Sequence, residues 1–195
     1  MQAKKDFGIQ VSLIVCFLRH LSEKDALICF DEIMKYREHF IGIGLDSSEL
    51  GNPPIKFKRL FKIAEKEKLF LVAHAGEEGP AEYVWQAIDD LGVNRIDHGN
   101  AVITDSTLVK RIVADRLALT MCPLSNKSLK ITPNLKDHPA KRLLEMGVRV
   151  TINSDDPAYF GGYLNKNYSQ LANALCLSQD QVNLLIDNSL KAKFV

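Results

Sequence analysis

Five apolar residues, Leu69-Phe70-Leu71-Val72-Ala73, run together without alternation and end at His74. A strand buried on both faces reads this way, because helices cover both sides of a parallel sheet. Ala75-Gly76, Glu77 and a Gly79-Pro80 turn follow before a helical pattern begins. That order predicts His74 at the C-terminal tip of a parallel strand, with Glu77 in the loop above it. In α/β folds, ligands and catalytic groups gather at this edge.

The same unit repeats along the chain. Buried-strand runs lie at Val11–Leu18, Phe40–Leu45, Leu69–Ala73, Arg95–Asp97, Leu117–Met121 and Val148–Asn153, with starts 22 to 31 residues apart. This spacing suits βα units. Between the runs lie amphipathic patterns. Ser22 can cap a helix with Leu27, Phe30, Ile33 and Met34 inside, and Phe57, Leu60, Phe61 and Ala64 mark the next. Ala81, Val84, Trp85, Ile88 and Leu91 form a third, stopped by Gly92. Thr104 or Asp105 starts a fourth, with Leu108, Ile112 and Val113 inside. His138 to Met146, closed by Gly147, is a fifth, and Asn165–Cys176 and Ser178–Lys193 complete the pattern. No linker or shift of composition breaks the chain, so residues 1–195 read as a single domain.

Six βα units fit a doubly wound sheet or a (β/α)8 barrel. Polar residues follow every strand: Arg19-His20, Asp46-Ser47-Ser48-Glu49, His74, His98, Ser125-Asn126 and Asp155-Asp156. A barrel brings all its strand tips to one centre, whereas a doubly wound sheet uses only those near its switch point, so the barrel is favoured. A complete barrel needs about 250 residues. The expected fold is therefore an α/β TIM-type (β/α)8 barrel, incomplete, with about six units.

Composition removes several function classes. Lys and Arg total 25 against 24 Asp and Glu, a net charge of +1, which gives no electrostatic case for nucleic acid or an anionic membrane. The longest apolar run, Val11 to Leu18, is too short to span a bilayer. The lysines near Met1 precede an apolar stretch, Ile9 to Leu18, with no small-residue cleavage pattern behind it, so that stretch is expected to be a strand and not a signal peptide. Cys16, Cys29, Cys122 and Cys176 form no CxxC pair, which suits reduced thiols in a cytoplasmic protein.

Several strand-end residues carry candidate chemistry. His74 is a fair metal ligand by type, since imidazole is a common zinc donor. Asp155-Asp156-Pro157 fits a cation site and a helix N-cap equally well. His98 stands before Gly99, which lets the backbone turn tightly beside a ligand; alone, such a histidine is more often structural. Glu77, near a cation, can act as general acid or base, although a lone glutamate usually faces solvent. On three strand tips of one barrel, the set points to a zinc hydrolase.

These segments, His74-Ala75-Gly76-Glu77, Ile96-Asp97-His98-Gly99 and Ser154-Asp155-Asp156-Pro157, resemble the adenosine and adenine deaminase family of zinc-dependent amidohydrolase barrels. Their order matches the family, as do the intervals of 24 residues from His74 to His98 and 81 from His74 to Asp155. Cys122-Pro123-Leu124-Ser125-Asn126 resembles the family's segment at the seventh strand. Gly44–Asn52 and Asp156–Tyr163 are similar to adenine deaminases more than to adenosine deaminases.

The resemblance implies zinc held by His74 and Asp155, and a purine bound by Asp156 and Gly76. It further implies His98 guiding the attack of water at C6 and Glu77 protonating N1, with hypoxanthine and ammonia as products. The family's His-x-His pair at the first strand is absent here, where the histidines are His20, His39, His74, His98 and His138. The strand ending at Leu18 resembles the family's third. The chain is thus expected to cover strands three to eight, with two zinc ligands missing. A complementing N-terminal segment or an oligomer would cover the open edges. Adenosine deamination, or an inactive relative serving as a binding module, are the alternatives. A cytidine-type zinc site is excluded on motif, because it needs H-x-E with P-C-x-x-C.

Overall fold

Runs buried on both faces need a helix layer to cover them, and the chain supplies one after each strand. The computed structural model describes residues 2–194. In chain order the elements are α1 (Gln2–Phe7), β1 (Ile14–Leu18), α2 (Glu23–Ile33), β2 (Gly42–Asp46), α3 (Lys58–Lys66), β3 (Phe70–Ala75) and α4 (Ala81–Asp89). Then come β4 (Arg95–His98), α5 (Ser106–Asp115), β5 (Ala118–Met121), α6 (Pro123–Ser128), α7 (Ala140–Glu145) and β6 (Arg149–Ile152). Three helices end the chain: α8 (Pro157–Phe160), α9 (Leu164–Leu175) and α10 (Gln179–Lys191).

Among the described residues the six strands pair in sequential order, β1 to β6, and every pairing is parallel. This is a (β/α)8 barrel with two strands fewer, an incomplete TIM-type barrel. The register holds the site together. His74 lies opposite Asp97, and Ala75 opposite His98, so tips of neighbouring strands end at one level.

The core lies between sheet and helices. Phe57, Leu60, Phe61 and Ala64 are fully buried along α3 and the turn before it. Each large apolar side chain so buried stabilises the fold by about 1.5–3 kcal/mol. Helix α3 has no cap of its own. Glu23 of α2 supplies one, its carboxylate accepting the N–H groups of Arg59 (2.8 Å) and Leu60 (3.0 Å). Ser22 caps α2 in a reciprocal capping box with Asp25, and Asp105 caps α5 through the N–H groups of Thr107 and Leu108.

Several expected boundaries move. The first strand begins at Ile14, not Val11; Val11 and Leu13 are exposed, although the Leu13 carbonyl still accepts the Ile41 N–H. The third strand extends through His74 to Ala75, and the fourth takes in His98. Val113, expected inside α5, faces solvent. His138 is not helical: it ends a 3-10 turn at Leu135–Asp137, ahead of α7, and is buried. Helix α1 was not anticipated, since its residues carry no apolar periodicity. Among the described residues no helix is long and apolar enough to cross a membrane.

Candidate active site

The site grows from the tip of β3. Arg19, fully buried beyond β1, donates from Nη1 to the His74 carbonyl (2.6 Å) and from Nε to the Asn52 carbonyl (2.8 Å). It thereby ties three successive strand ends together. Gly76 turns the chain at φ +72°, where a Cβ would stand 2.8 Å from Val84 Cγ2 and 3.2 Å from Ala101 Cβ. No side chain fits that corner.

The loop beyond is organised by Glu49. This glutamate is 2% exposed, and its carboxylate accepts four consecutive backbone N–H groups. They come from Gly76 (2.6 Å), Glu77 (2.9 Å), Glu78 (2.9 Å) and Gly79 (3.0 Å). The Glu49 N–H donates in return to Glu78 Oε2 at 3.4 Å. Successive amides converging on one anion form a rigid concave cradle, so Glu77 is presented from a loop with little freedom.

Glu77 and His98 meet at this point, with Oε1 3.1 Å from His98 Nδ1. The contact is not an ion pair. Burial, with Asp155, Glu49 and Glu78 nearby, pushes the Glu77 carboxyl up to about 8, against a hydrogen bond from Asn126 that lowers it. Burial, and then His74, push His98 well below its ordinary value. At neutral pH a neutral acid therefore faces a neutral imidazole. His98 Nδ1 has no aligned hydrogen-bond partner despite its proximity.

His74, Asp97, His98, Thr120, Cys122 and Asp155 line one cavity of about 250 Å³. The His74 and His98 rings lie 4.5 Å apart at 54°. Asp97 is spent on structure: its Oδ1 accepts from Arg95 Nε (3.1 Å) and Thr120 Oγ1 (2.7 Å). Its Oδ2 stays 4.0 Å from His74 Nδ1, which is buried without a hydrogen bond. His98 and Asp155 both adopt left-handed backbone, at φ +65° and +56°. Such conformations cost about 1–3 kcal/mol each and collect at functional sites.

The expected residues divide. His74, His98 and Asp155 share the cavity, and Glu77 touches His98. Asp156 is exposed at the start of α8 and makes no side-chain capping bond, so its carboxylate is not used as a cap. The donor atoms that gather most closely are those of His98, Cys122 and Asp155, all within 4.8 Å of one another. Burial and the carboxylates of Asp155, Asp97 and Glu77 push the Cys122 thiol well above its ordinary value. Arg19, Glu49 and Asn126 support the site without having been given a role from sequence; the polar runs after β1, β2 and β5 were the available signal.

A family model described as Adenosine deaminase matches residues 1–195. The chain belongs to the adenosine deaminase family. An adenine deaminase of Cupriavidus metallidurans is 54% identical over 194 residues, covering 100% of this chain and 55% of the relative. An adenine deaminase of Acinetobacter baylyi is 50% identical over 193 residues, covering 99% of this chain and 58% of that protein. Among solved structures, an adenine deaminase from Arthrobacter aurescens superimposes with a TM-score of 0.97 at 46% identity, covering 100% of this chain and 59% of that one. An amidohydrolase from Burkhoderia ambifaria, solved with bound Zn, gives a TM-score of 0.93 at 25% identity, with 100% and 55% covered. This member of the adenosine deaminase family thus spans little more than half the length of the relatives it matches.

Proposed function

We propose that this chain builds most of the active site of an adenine deaminase, which hydrolyses adenine to hypoxanthine and ammonia. The observation that carries the reading is Glu77, a carboxyl pushed up to about 8 and held 3.1 Å from His98, which with His74 and Asp155 lines one cavity. A neutral carboxyl at pH 7 can give a proton to a ring nitrogen and make the adjacent carbon electrophilic. Glu77 takes that role toward N1. His98, buried and neutral, accepts a proton from the attacking water and holds it beside C6. The C6–O bond forms, His98 passes the water's proton to the amino group, and the C6–N bond breaks as ammonia leaves, while the new hydroxyl returns a proton to Glu77 as the C6 carbonyl forms. Gly76 and Asp156 are assigned to gripping the purine. Identities near 50% to proteins named adenine deaminase favour the free base over the nucleoside.

His74 and Asp155 would hold the zinc. His74 suits a metal because its Nδ1 is buried with no hydrogen bond, and imidazole with carboxylate is a donor set zinc accepts. Zinc, when bound, lowers the pKa of water toward about 7. Catalytic zinc sites take about three protein ligands, so the remaining ones are assigned to a preceding segment that supplies two further strands and a His-x-His pair. The single barrel domain over 1–195 and its closure by that segment belong to the same proposal. Phe7, Ile9, Val11 and Leu13, exposed in the segment that leads into the edge strand β1, support such a cover.

The test compares this chain alone with the chain joined to the N-terminal portion of the Cupriavidus metallidurans relative. Zinc content and ammonia release are measured with adenine and with adenosine. The joined protein is expected to bind zinc and to prefer adenine by kcat/KM, and the chain alone to do neither. Stoichiometric zinc with turnover in the chain alone would overturn the missing-ligand reading. Faster turnover of adenosine would overturn the substrate.

A further inference from the structure

Behind Glu77 lies a line of buried polar groups that the reaction above does not use. Asn126, fully buried on α6, donates from Nδ2 to Glu77 Oε1 at 2.9 Å. Its Oδ1 lies 3.3 Å from Nε2 of His138, a histidine only 2% exposed. The other ring nitrogen of His138, Nδ1, accepts the backbone N–H of Ala140 at 3.3 Å. Neither Asn126 nor His138 lines the cavity that holds His74, His98 and Asp155.

The polarity of this line can be worked out from one end. A side-chain amide can flip and an imidazole can change tautomer, but a backbone N–H is always a donor. Ala140 therefore requires Nδ1 of His138 to be unprotonated. A neutral imidazole then carries its proton on Nε2, which donates to Asn126 Oδ1. With its oxygen so engaged, Asn126 turns its NH2 group to Glu77 Oε1. The reversed network would need the Asn126 NH2 to meet a bare Nε2. It would also place a proton on Nδ1 against the Ala140 N–H, so that two buried donors would face each other. Burial holds His138 neutral, its pKa lowered to about 4, so an imidazolium does not open a second route.

We propose that His138 and Asn126 are positioning residues for Glu77: a relay of fixed polarity that keeps Oε1 as an acceptor and leaves Oε2 as the oxygen that carries the proton toward substrate. The proposal rests on the deaminase reading for what the proton does, and on the hydrogen-bond geometry between uncharged Glu77, Asn126 and His138 for where it sits. A glutamic acid free to place its proton on either oxygen would spend part of its time with the proton turned toward Asn126. The relay removes that orientation, because Asn126 presents donors only. It also explains why a histidine and an asparagine lie buried with no part in the cavity, in positions where apolar residues would pack without polar partners to satisfy.

Two measurements test it. In this chain, nitrogen-15 NMR of the His138 ring at pH 7 is expected to show the Nε2–H tautomer; an Nδ1–H tautomer or an imidazolium would overturn the relay. In the joined protein, Asn126→Ala and His138→Leu are expected to lower kcat by about 10–100-fold, the scale seen when the hydrogen-bond partner of a metal ligand is removed, with KM little changed. His138→Gln can still donate to Asn126 through its amide and is expected to recover most of the rate. Unchanged kcat in Asn126→Ala, or no recovery by His138→Gln over His138→Leu, would also overturn the proposal. Should the truncated side chains prevent folding, the wild-type tautomer and the His138→Gln rate still decide. If the joined wild type releases no ammonia, the purine reading falls, and the tautomer alone judges the relay.

Discussion

Replacing Glu77 with glutamine should make the protein more stable as pH rises, while removing its acid. Glutamine keeps the shape of the side chain and the acceptor for Asn126, and it cannot ionise. Wild-type Glu77 has an ordinary value of 4.5 and a folded-state value of about 8. Below pH 4.5 both folded and unfolded chains hold the proton, and the two variants differ little. Between 4.5 and 8 the unfolded chain gives it up and the folded chain keeps it, so wild-type stability falls with rising pH. Above 8 the folded state also ionises and the loss levels off. The slope is about 1.4 kcal/mol per pH unit, so the window of about 3.5 pH units sets a ceiling of about 5 kcal/mol.

Water entry and relaxation around an ionised Glu77 bring the realised figure down, since sites of this kind behave as if the dielectric constant were about 20. A gain of about 2–3 kcal/mol for Glu77→Gln is expected on going from pH 5.5 to 8.5. Urea denaturation of both proteins across that range, with a chelator present to exclude metal, measures it directly. The other titrating groups are common to both chains and largely cancel in the difference. A stability gap that does not change with pH, or one that shrinks as pH rises, would refute the argument that burial and the surrounding carboxylates keep Glu77 protonated.

Glu49→Ala should leave four loop amides without an acceptor and cost at least 3 kcal/mol, at about 1–3 kcal/mol for each buried donor stranded; hydrogen exchange at Gly76 to Gly79 should rise well above that of the β3 core, and unchanged protection there would be the contrary result. Gly76→Ala should destabilise by about 1–3 kcal/mol, from left-handed backbone together with the close approach to Val84, as read from urea midpoints. Arg19→Lys keeps the charge but cannot span the carbonyls of Asn52 and His74 with a fork of donors; a loss of about 2–4 kcal/mol is expected, in the range for breaking a buried charged group's bonds.

The parallel sheet was legible because its strands carry apolar residues on both faces, and no other element packs such short runs between helices. Strand ends were less legible where the signal is polar. His74 and His98 look like the first residues after a strand, yet each lies within one, because the ladder continues until the carbonyls find other partners. Val11 and Leu13 misled in the opposite direction. They are apolar and alternate, but they lie ahead of Ile14, the first residue of β1 that pairs, and are exposed. Val113 is a similar case, a residue of core type on the outward side of its helix.

The site divides along a different line. Residues whose chemistry is their side chain alone, His74, His98, Glu77 and Asp155, could be nominated from position and type. Those that act through backbone partners could not. Glu49 is one glutamate in a polar run, and nothing local says that four amides lying 27 to 30 residues further on will close over its carboxylate. His138 reads as the start of a helix, and its meaning comes from Ala140, whose N–H is the only fixed donor in a line ending at Glu77. The acid is therefore set from two directions by groups remote in sequence. Glu49 fixes the backbone that carries it, and the Asn126–His138 line fixes its Oε1. Both supports lie wholly within these 195 residues, whereas the proposed zinc set draws on residues outside them. The protonation of Glu77 and the supports that hold it can therefore be tested in this chain before any metal is in place.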